Sequence, residues 1–208
     1  MRKGGSGTLV ISDAGISFQE SGKAKHAWTW KYDDIQQLEI SPKRLRVLTY
    51  RDSAWRLGAD REYRFDLAGE DTFDAAYALL KDRLDQRFVA ALPDKAVKAE
   101  WELPVKHLQR FGGSQGVLRF GEDRVVYTTD RKGESRTWRY PDIENVSTSG
   151  PYQLTLTTYE RARSHYGNLK GFNFQLKSRL GQERYNELWL KVNRAKGLKV
   201  LDSYRAGE

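Results

Sequence analysis

The sequence contains no cysteine. That excludes disulfides, thiolate metal sites and a cysteine nucleophile, and it leaves the redox compartment open. Histidine is nearly as scarce. The three present, His26, His107 and His165, share no metal-ligand spacing and sit in no serine or cysteine nucleophile motif. Each reads as an ordinary strand or surface residue. No run of apolar residues is long enough for a membrane-spanning helix. No apolar run follows Arg2 and Lys3 either, so the chain as written opens without a secretory signal. What is present is a globular composition: 208 residues, 38% hydrophobic, 31% charged, and 12% aromatic with six Trp. This is too aromatic for a disordered chain and long enough for one large domain or two small ones. The net charge of +8 favours anionic partners as a class and names none.

The chain repeats itself. Trp30-Lys31-Tyr32-Asp33-Asp34-Ile35 returns as Trp138-Arg139-Tyr140-Pro141-Asp142-Ile143. Upstream, Gly4-Gly5-Ser6-Gly7-Thr8-Leu9 matches Gly112-Gly113-Ser114-Gln115-Gly116-Val117-Leu118. Downstream, Leu45–Tyr50 matches Leu154–Tyr159, and Tyr63-Arg64-Phe65-Asp66-Leu67 matches Phe172-Asn173-Phe174-Gln175-Leu176. Four blocks in the same order, offset by 108 or 109 residues, point to a duplicated domain, because a solenoid repeat is far shorter. The boundaries implied are residues 1–94 and 95–208, with 95–111 as a lead-in to the second copy. The first copy has only Met1-Arg2-Lys3 in place of Trp101–Arg110. Either it lacks this lead-in or the natural chain begins earlier, so localisation is left unassigned.

Within the first copy, Leu9-Val10-Ile11 and Ile16-Ser17-Phe18 flank the turn signal Asp13-Ala14-Gly15 and read as a hairpin. Trp28, Trp30 and Tyr32 alternate with polar or small residues, as do Leu45-Val47-Thr49 and Tyr63-Phe65-Leu67. That is the period of a strand. The spacing then changes. Phe73, Tyr77, Leu80, Leu84 and Phe88 lie on one helical face, and Tyr185, Leu188, Trp189 and Val192 do so in the second copy. Second-copy strands are expected near 117–120, 124–129, 135–140, 143–148, 152–159 and 171–177. The predicted fold is mainly β with C-terminal helices, a β-sandwich or partly open barrel made twice. Each copy has about seven antiparallel strands and one capping α-helix.

This element order, with its Gly-x-Leu start, aromatic third strand, Tyr-x-Asp-Ile turn and closing helix, resembles the pleckstrin-homology (PH) superfold and its GRAM and bacterial relatives. The resemblance covers nearly the whole chain, twice. It implies two bent antiparallel sheets packed face to face, with the helix over one open end.

Candidate chemistry is sparse. The glycine clusters precede strands, and no Gly-Lys-Ser/Thr follows them, so they read as flexible lead-ins and not as phosphate loops. Asp33-Asp34 and Asp142 fall in a turn where a carboxylate can hold backbone N–H groups. The phosphoinositide-binding members of the resembled family use Lys and Arg around the first hairpin. Here those hairpins, Ser12-Asp13-Ala14-Gly15 and Gly121-Glu122-Asp123-Arg124, are short and acidic. Bases gather elsewhere. Arg51, Arg56 and Arg61 surround Trp55, while Arg161, Arg163, His165 and Lys170 surround Tyr166, both in the connection after the Leu…Tyr strand. Bases interleaved with an aromatic suit an anionic ligand. No helix carries a basic stripe for the major groove, which disfavours specific nucleic-acid recognition. The expectation is a non-enzymatic binding or scaffolding module without a cofactor or metal, recognising a protein segment or an anionic surface through those nine residues. A peripheral membrane adaptor is the first alternative. An enzyme with a pocket between the copies is the second, and no convergent polar set supports it.

Overall fold

The computed structural model describes residues 5–23, 25–54, 58–68, 72–162 and 168–197, without the side chains of 72–74. The chain is mainly β and divides into two compact units, Met1–Ala91 and Leu92–Glu208.

In the first unit, β1 (Gly7–Ser12), β2 (Gly15–Glu20) and β3 (Ala27–Trp30) form one antiparallel sheet in that order. A 3-10 turn over Tyr32–Asp34 leads into a second antiparallel set, β4 (Ile35–Ser41), β5 (Arg44–Asp52) and β6 (Asp60–Asp66). Helix α1 (Thr72–Arg83) follows, and then β7 (Phe88–Ala90), which pairs parallel to β4. The helical spacing that runs on to Phe88 is therefore interrupted. The Asp85 carboxylate accepts the Arg87 N–H at 3.0 Å, a local bond that competes with the helix. The Arg87 guanidinium then donates to the Tyr32 and Ile35 carbonyls, which draws Phe88 alongside β4.

In the second unit, β8 (Trp101–Leu108), β9 (Gly113–Phe120), β10 (Arg124–Thr128), β11 (Arg136–Arg139), β12 (Ile143–Ser147), β13 (Gln153–Arg161) and β14 (Leu169–Leu176) precede helix α2 (Gln182–Ala195). All pair antiparallel, in the order β11-β10-β9-β8-β14-β13-β12. The segment read as a lead-in is thus the strand at the centre of this arrangement. Its inward residues, Leu103 and Val105, are buried, and Trp101 stacks on Phe120 with ring centres 3.7 Å apart. The core adds Tyr127, Trp138, Phe172 and Phe174 from the strands, and Leu188 and Val192 from α2. Each large buried side chain contributes on the order of 1.5–3 kcal/mol.

Strand registers coincide between the units. Leu9 opposes Phe18 as Leu118 opposes Tyr127, Trp30 opposes Ile16 as Trp138 opposes Val125, and Val47 opposes Tyr63 as Leu156 opposes Phe172. The Tyr-x-Asp-Ile turns match too. Asp34 accepts the Lys31 N–H at 3.2 Å and Asp142 the Arg139 N–H at 3.0 Å, so the aspartates hold the turn as expected. Two glycines of the clusters expected to be flexible lead-ins have a different role. A Cβ on Gly7 would lie 2.2 Å from the Gln19 carbonyl, and one on Gly113 2.4 Å from the His107 carbonyl. Both stand inside strands, where the neighbouring backbone comes too close for a side chain. Burial departs from expectation at two aromatics: Phe65 and Tyr185 are only half-buried.

Candidate functional site

Of the predicted site residues, Trp55, Arg56, Arg163, His165 and Tyr166 lie outside the described residues. Arg51 and Arg61 are exposed and fall at the same end of the β5–β6 hairpin, where Asp52 opposes Asp60. The Arg61 guanidinium lies 5.0 Å from the centre of the Tyr63 ring. Arg161 is half-buried. Lys170 does not stand on an exposed loop with it. As the second residue of β14, Lys170 shares the inward face with Phe172 and Phe174, because residues two apart share one side of a strand.

That inward face leads to a cluster the sequence reading missed. Along β13, Leu154, Leu156, Thr158 and Glu160 point inward. Glu160 is buried and accepts hydrogen bonds from Trp138 Nε1 and Lys170 Nζ, both at 3.0 Å. Arg136 Nε stands 3.7 Å away. Burial opposes ionisation of Glu160, but Lys170, Arg136 and the indole N–H outweigh it and hold the carboxyl below its ordinary range. Lys170 also lies 4.4 Å from the Phe172 ring centre.

His107 closes the cluster from β8, with its ring 5.2 to 5.8 Å from those of Phe174, Phe172 and Tyr127. Burial pushes its pKa down to about 4, Lys170 and Arg136 act in the same direction, and Glu134 and Glu160 oppose them. It is neutral at pH 7. Glu134 is held below the ordinary carboxylate range: burial opposes this, but hydrogen bonds from Ser114 and Gln109 and the nearby Arg131 prevail.

His107, Glu134, Arg136 and Lys170 line part of an open cleft of about 1030 Å³, with Gln109, Arg110 and Asn173 also on its walls. Its charged lining is Arg110, Arg136 and Lys170 against Glu134, and the buried Glu160 lies behind Lys170 and Arg136. Two buried side-chain atoms in it have no hydrogen-bond partner: Arg136 Nε, a donor, and Glu134 Oε2, an acceptor. Ser114 Oγ is engaged with the Tyr127 hydroxyl at 2.9 Å and is not paired with His107 as a nucleophile would be with its base. Among the described residues, no group of three or more His, Asp or Glu is placed to hold a metal ion. In the first unit, His26 Nδ1 contacts Glu20 Oε2 at 2.6 Å.

The net charge is unevenly divided. Residues 92–208 carry 21 Lys and Arg against 14 Asp and Glu, which is +7 of the total of +8.

No protein-family model matches the sequence, and no curated protein matches it. Among solved structures, the chain is similar to the C-terminal domain of an unknown protein from Leishmania infantum, at 9% identity over 60% of this chain and 97% of that one, with a TM-score of 0.35. It is also similar to the structure of the Spt16D Pob3N heterodimer, at 10% identity over 75% of this chain and 76% of that one, with a TM-score of 0.32. Likenesses this distant carry nothing about function.

Proposed function

We propose that the chain is a non-enzymatic binding module of two duplicated PH-like units, and that the mouth of the second unit recognises a protein segment. The fold part of this reading is supported by the seven-strand order of the second unit, its C-terminal helix, and the registers shared by the two units. The functional part rests on one observation: two buried atoms on the cleft wall make no hydrogen bond, Arg136 Nε, a donor whose nearest acid is Glu160 at 3.7 Å, and Glu134 Oε2, an acceptor. Buried polar atoms are rarely left unpaired, and a ligand that satisfies both must itself accept and donate. A peptide group does both, whereas a phosphate or other anionic headgroup mainly accepts.

The test is peptide selection from a random phage library on the full chain. Selected peptides should bind with roughly fivefold to tenfold lower affinity to Glu134→Gln, which turns a charged hydrogen bond into a neutral one, a difference of about 1–1.5 kcal/mol. Co-sedimentation with vesicles of about 30 mol % phosphatidylserine, at about 0.05 and 0.15 M salt, is the control. If the vesicles bind in a salt-sensitive way and no peptide is enriched, the chain is a membrane adaptor and the reading is wrong.

A further inference from the structure

Strand β14 is paired along only part of one edge. Its even-numbered residues bond toward β13: the Leu176 N–H donates to the Tyr152 carbonyl at 2.9 Å, and the Asn168 carbonyl, just before the strand, accepts the Ala162 N–H at 2.8 Å. Its odd-numbered residues bond toward β8, as the Lys177 N–H, just past the strand, does with the Pro104 carbonyl. β8 ends at Leu108, opposite Asn173. There the chain reverses: Gly112 has a φ of +79°, and the Gln109 N–H donates to the Gly112 carbonyl at 3.1 Å. Beyond Asn173, Gly171 and Leu169 turn their N–H and C=O groups to the same side, and among the described residues no strand lies beside them there.

This bare edge runs along the cleft, which Leu108 and Gly171 both line. Its two faces differ in chemistry. On the outer face, Leu108 and Leu169 are 39% and 40% exposed. Gly171 stands between Leu169 and Asn173, the partner of Leu108, and offers no side chain. A Cβ there would meet nothing within 4 Å.

On the inner face stands Lys170. Its ammonium has three N–H donors and gives one to Glu160 at 3.0 Å. Arg136 Nε, on the other side of Glu160, makes no hydrogen bond. Counted with Glu160, the charged groups of the cleft are three bases and two acids, so one positive charge is left over.

We propose that the segment recognised by the second unit adds to this edge as a short antiparallel strand, with an aromatic residue opposite Gly171 and an acidic residue directly after it, opposite Lys170. The proposal rests on reading the cleft as a peptide site and names the segment it takes. Both existing partners of β14 are antiparallel, and a third strand in that direction exchanges N–H and C=O bonds with Gly171 and Leu169, which only a polypeptide backbone can do at both positions in register. The side chain opposite Gly171 points outward. A ring there covers the bare glycine backbone and fills the space between Leu108 and Leu169. The next side chain points inward. A carboxylate there takes the remaining donors of Lys170 and the unpaired Nε of Arg136, and it cancels the surplus charge.

The probe is a blocked, fluorescein-labelled peptide of sequence TTWEVTT, titrated against the full chain by fluorescence anisotropy. It should bind, and the same peptide N-methylated at its Trp and Val should bind at least about tenfold more weakly, because two backbone hydrogen bonds are lost. Exchanging its Glu for Lys should weaken binding by about tenfold. Gly171→Val has room for its side chain in an extended strand; it occupies the place of the ring and should weaken binding by about tenfold with the melting temperature unchanged. Amide hydrogen exchange, followed residue by residue, should slow at Leu169 and Gly171 on binding. Equal affinity for the N-methylated peptide overturns strand addition, and so does slowed exchange that leaves out Leu169 and Gly171. Failure of this probe on a chain that still binds phage-selected peptides overturns the proposed segment and leaves the cleft a peptide site of another kind. Failure of both peptide sets overturns both proposals.

Discussion

Acid should weaken the second unit through His107 in a window that the structure defines. In the unfolded chain this imidazole takes a proton near pH 6.5; in the folded chain it stays neutral down to about 4. Between those values protons bind the unfolded state in preference. The contribution of His107 is complete above pH 6.5 and is lost progressively as the pH falls to 4. The gap between the two values sets a ceiling of roughly 3.4 kcal/mol. His107 is only half-buried, and solvent screening lowers the working figure to about 2 kcal/mol. His107→Phe keeps a ring beside Tyr127, Phe172 and Phe174 and removes the titration. Urea unfolding of both proteins from pH 7 to 4, followed by NMR signals of second-unit residues, should show the wild type losing about 2 kcal/mol more than the variant. Two results would refute this: parallel stability curves, or an NMR titration of His107 with its midpoint at or above 6.5.

Two further substitutions test the buried polar contacts. Glu160→Gln should cost about 3 kcal/mol in urea unfolding, because Arg136 is left without its acid; Lys170, 35% exposed, can turn to water and adds little. A loss under about 1 kcal/mol would mean the cluster is solvated. Asp142→Ala should lower stability by about 1–2 kcal/mol and Asp34→Ala by about 0.5 kcal/mol, because the first aspartate is buried and also binds the Arg139 guanidinium, while the second is exposed with one long bond. Equal shifts in thermal melting would show that burial does not set the cost of the turn.

Much of the fold was legible because a strand written with period two announces which face is inward. Leu154-x-Leu156 and Phe172-x-Phe174 are visible in the sequence as strands, and the Asp of Tyr-x-Asp-Ile is a turn residue for a local reason. The same rule, carried one step further, reaches the buried polar cluster. Thr158 and Glu160 continue the inward row of β13, and Lys170 begins that of β14. Trp101, Leu103, Val105 and His107 alternate as plainly, though the first copy has no block to match the stretch. Grouping Lys170 with Arg161 by nearness in sequence overlooked that parity. The Phe88 misreading has another source. A helical spacing can run on past the helix, and what stops α1 is a carboxylate–backbone bond at Asp85, which periodicity does not register. The orphaned atoms of Glu134 and Arg136 have no sequence signature at all, since they depend on distances between strands far apart in the chain.

The position of β8 bears on how the second unit is made. Every strand pair in that unit joins neighbours in sequence except β14 with β8, where Gln175 meets Lys106. Hairpins close within about 1–10 μs. The β8–β14 contact must instead wait until roughly seventy more residues have been synthesised, about 4–14 s at ordinary elongation rates. During that interval the inward row of Trp101, Leu103 and Val105 has β9 on one flank and an open edge on the other. The second unit is therefore most exposed to mispairing, including with another nascent chain, while β14 is still unmade.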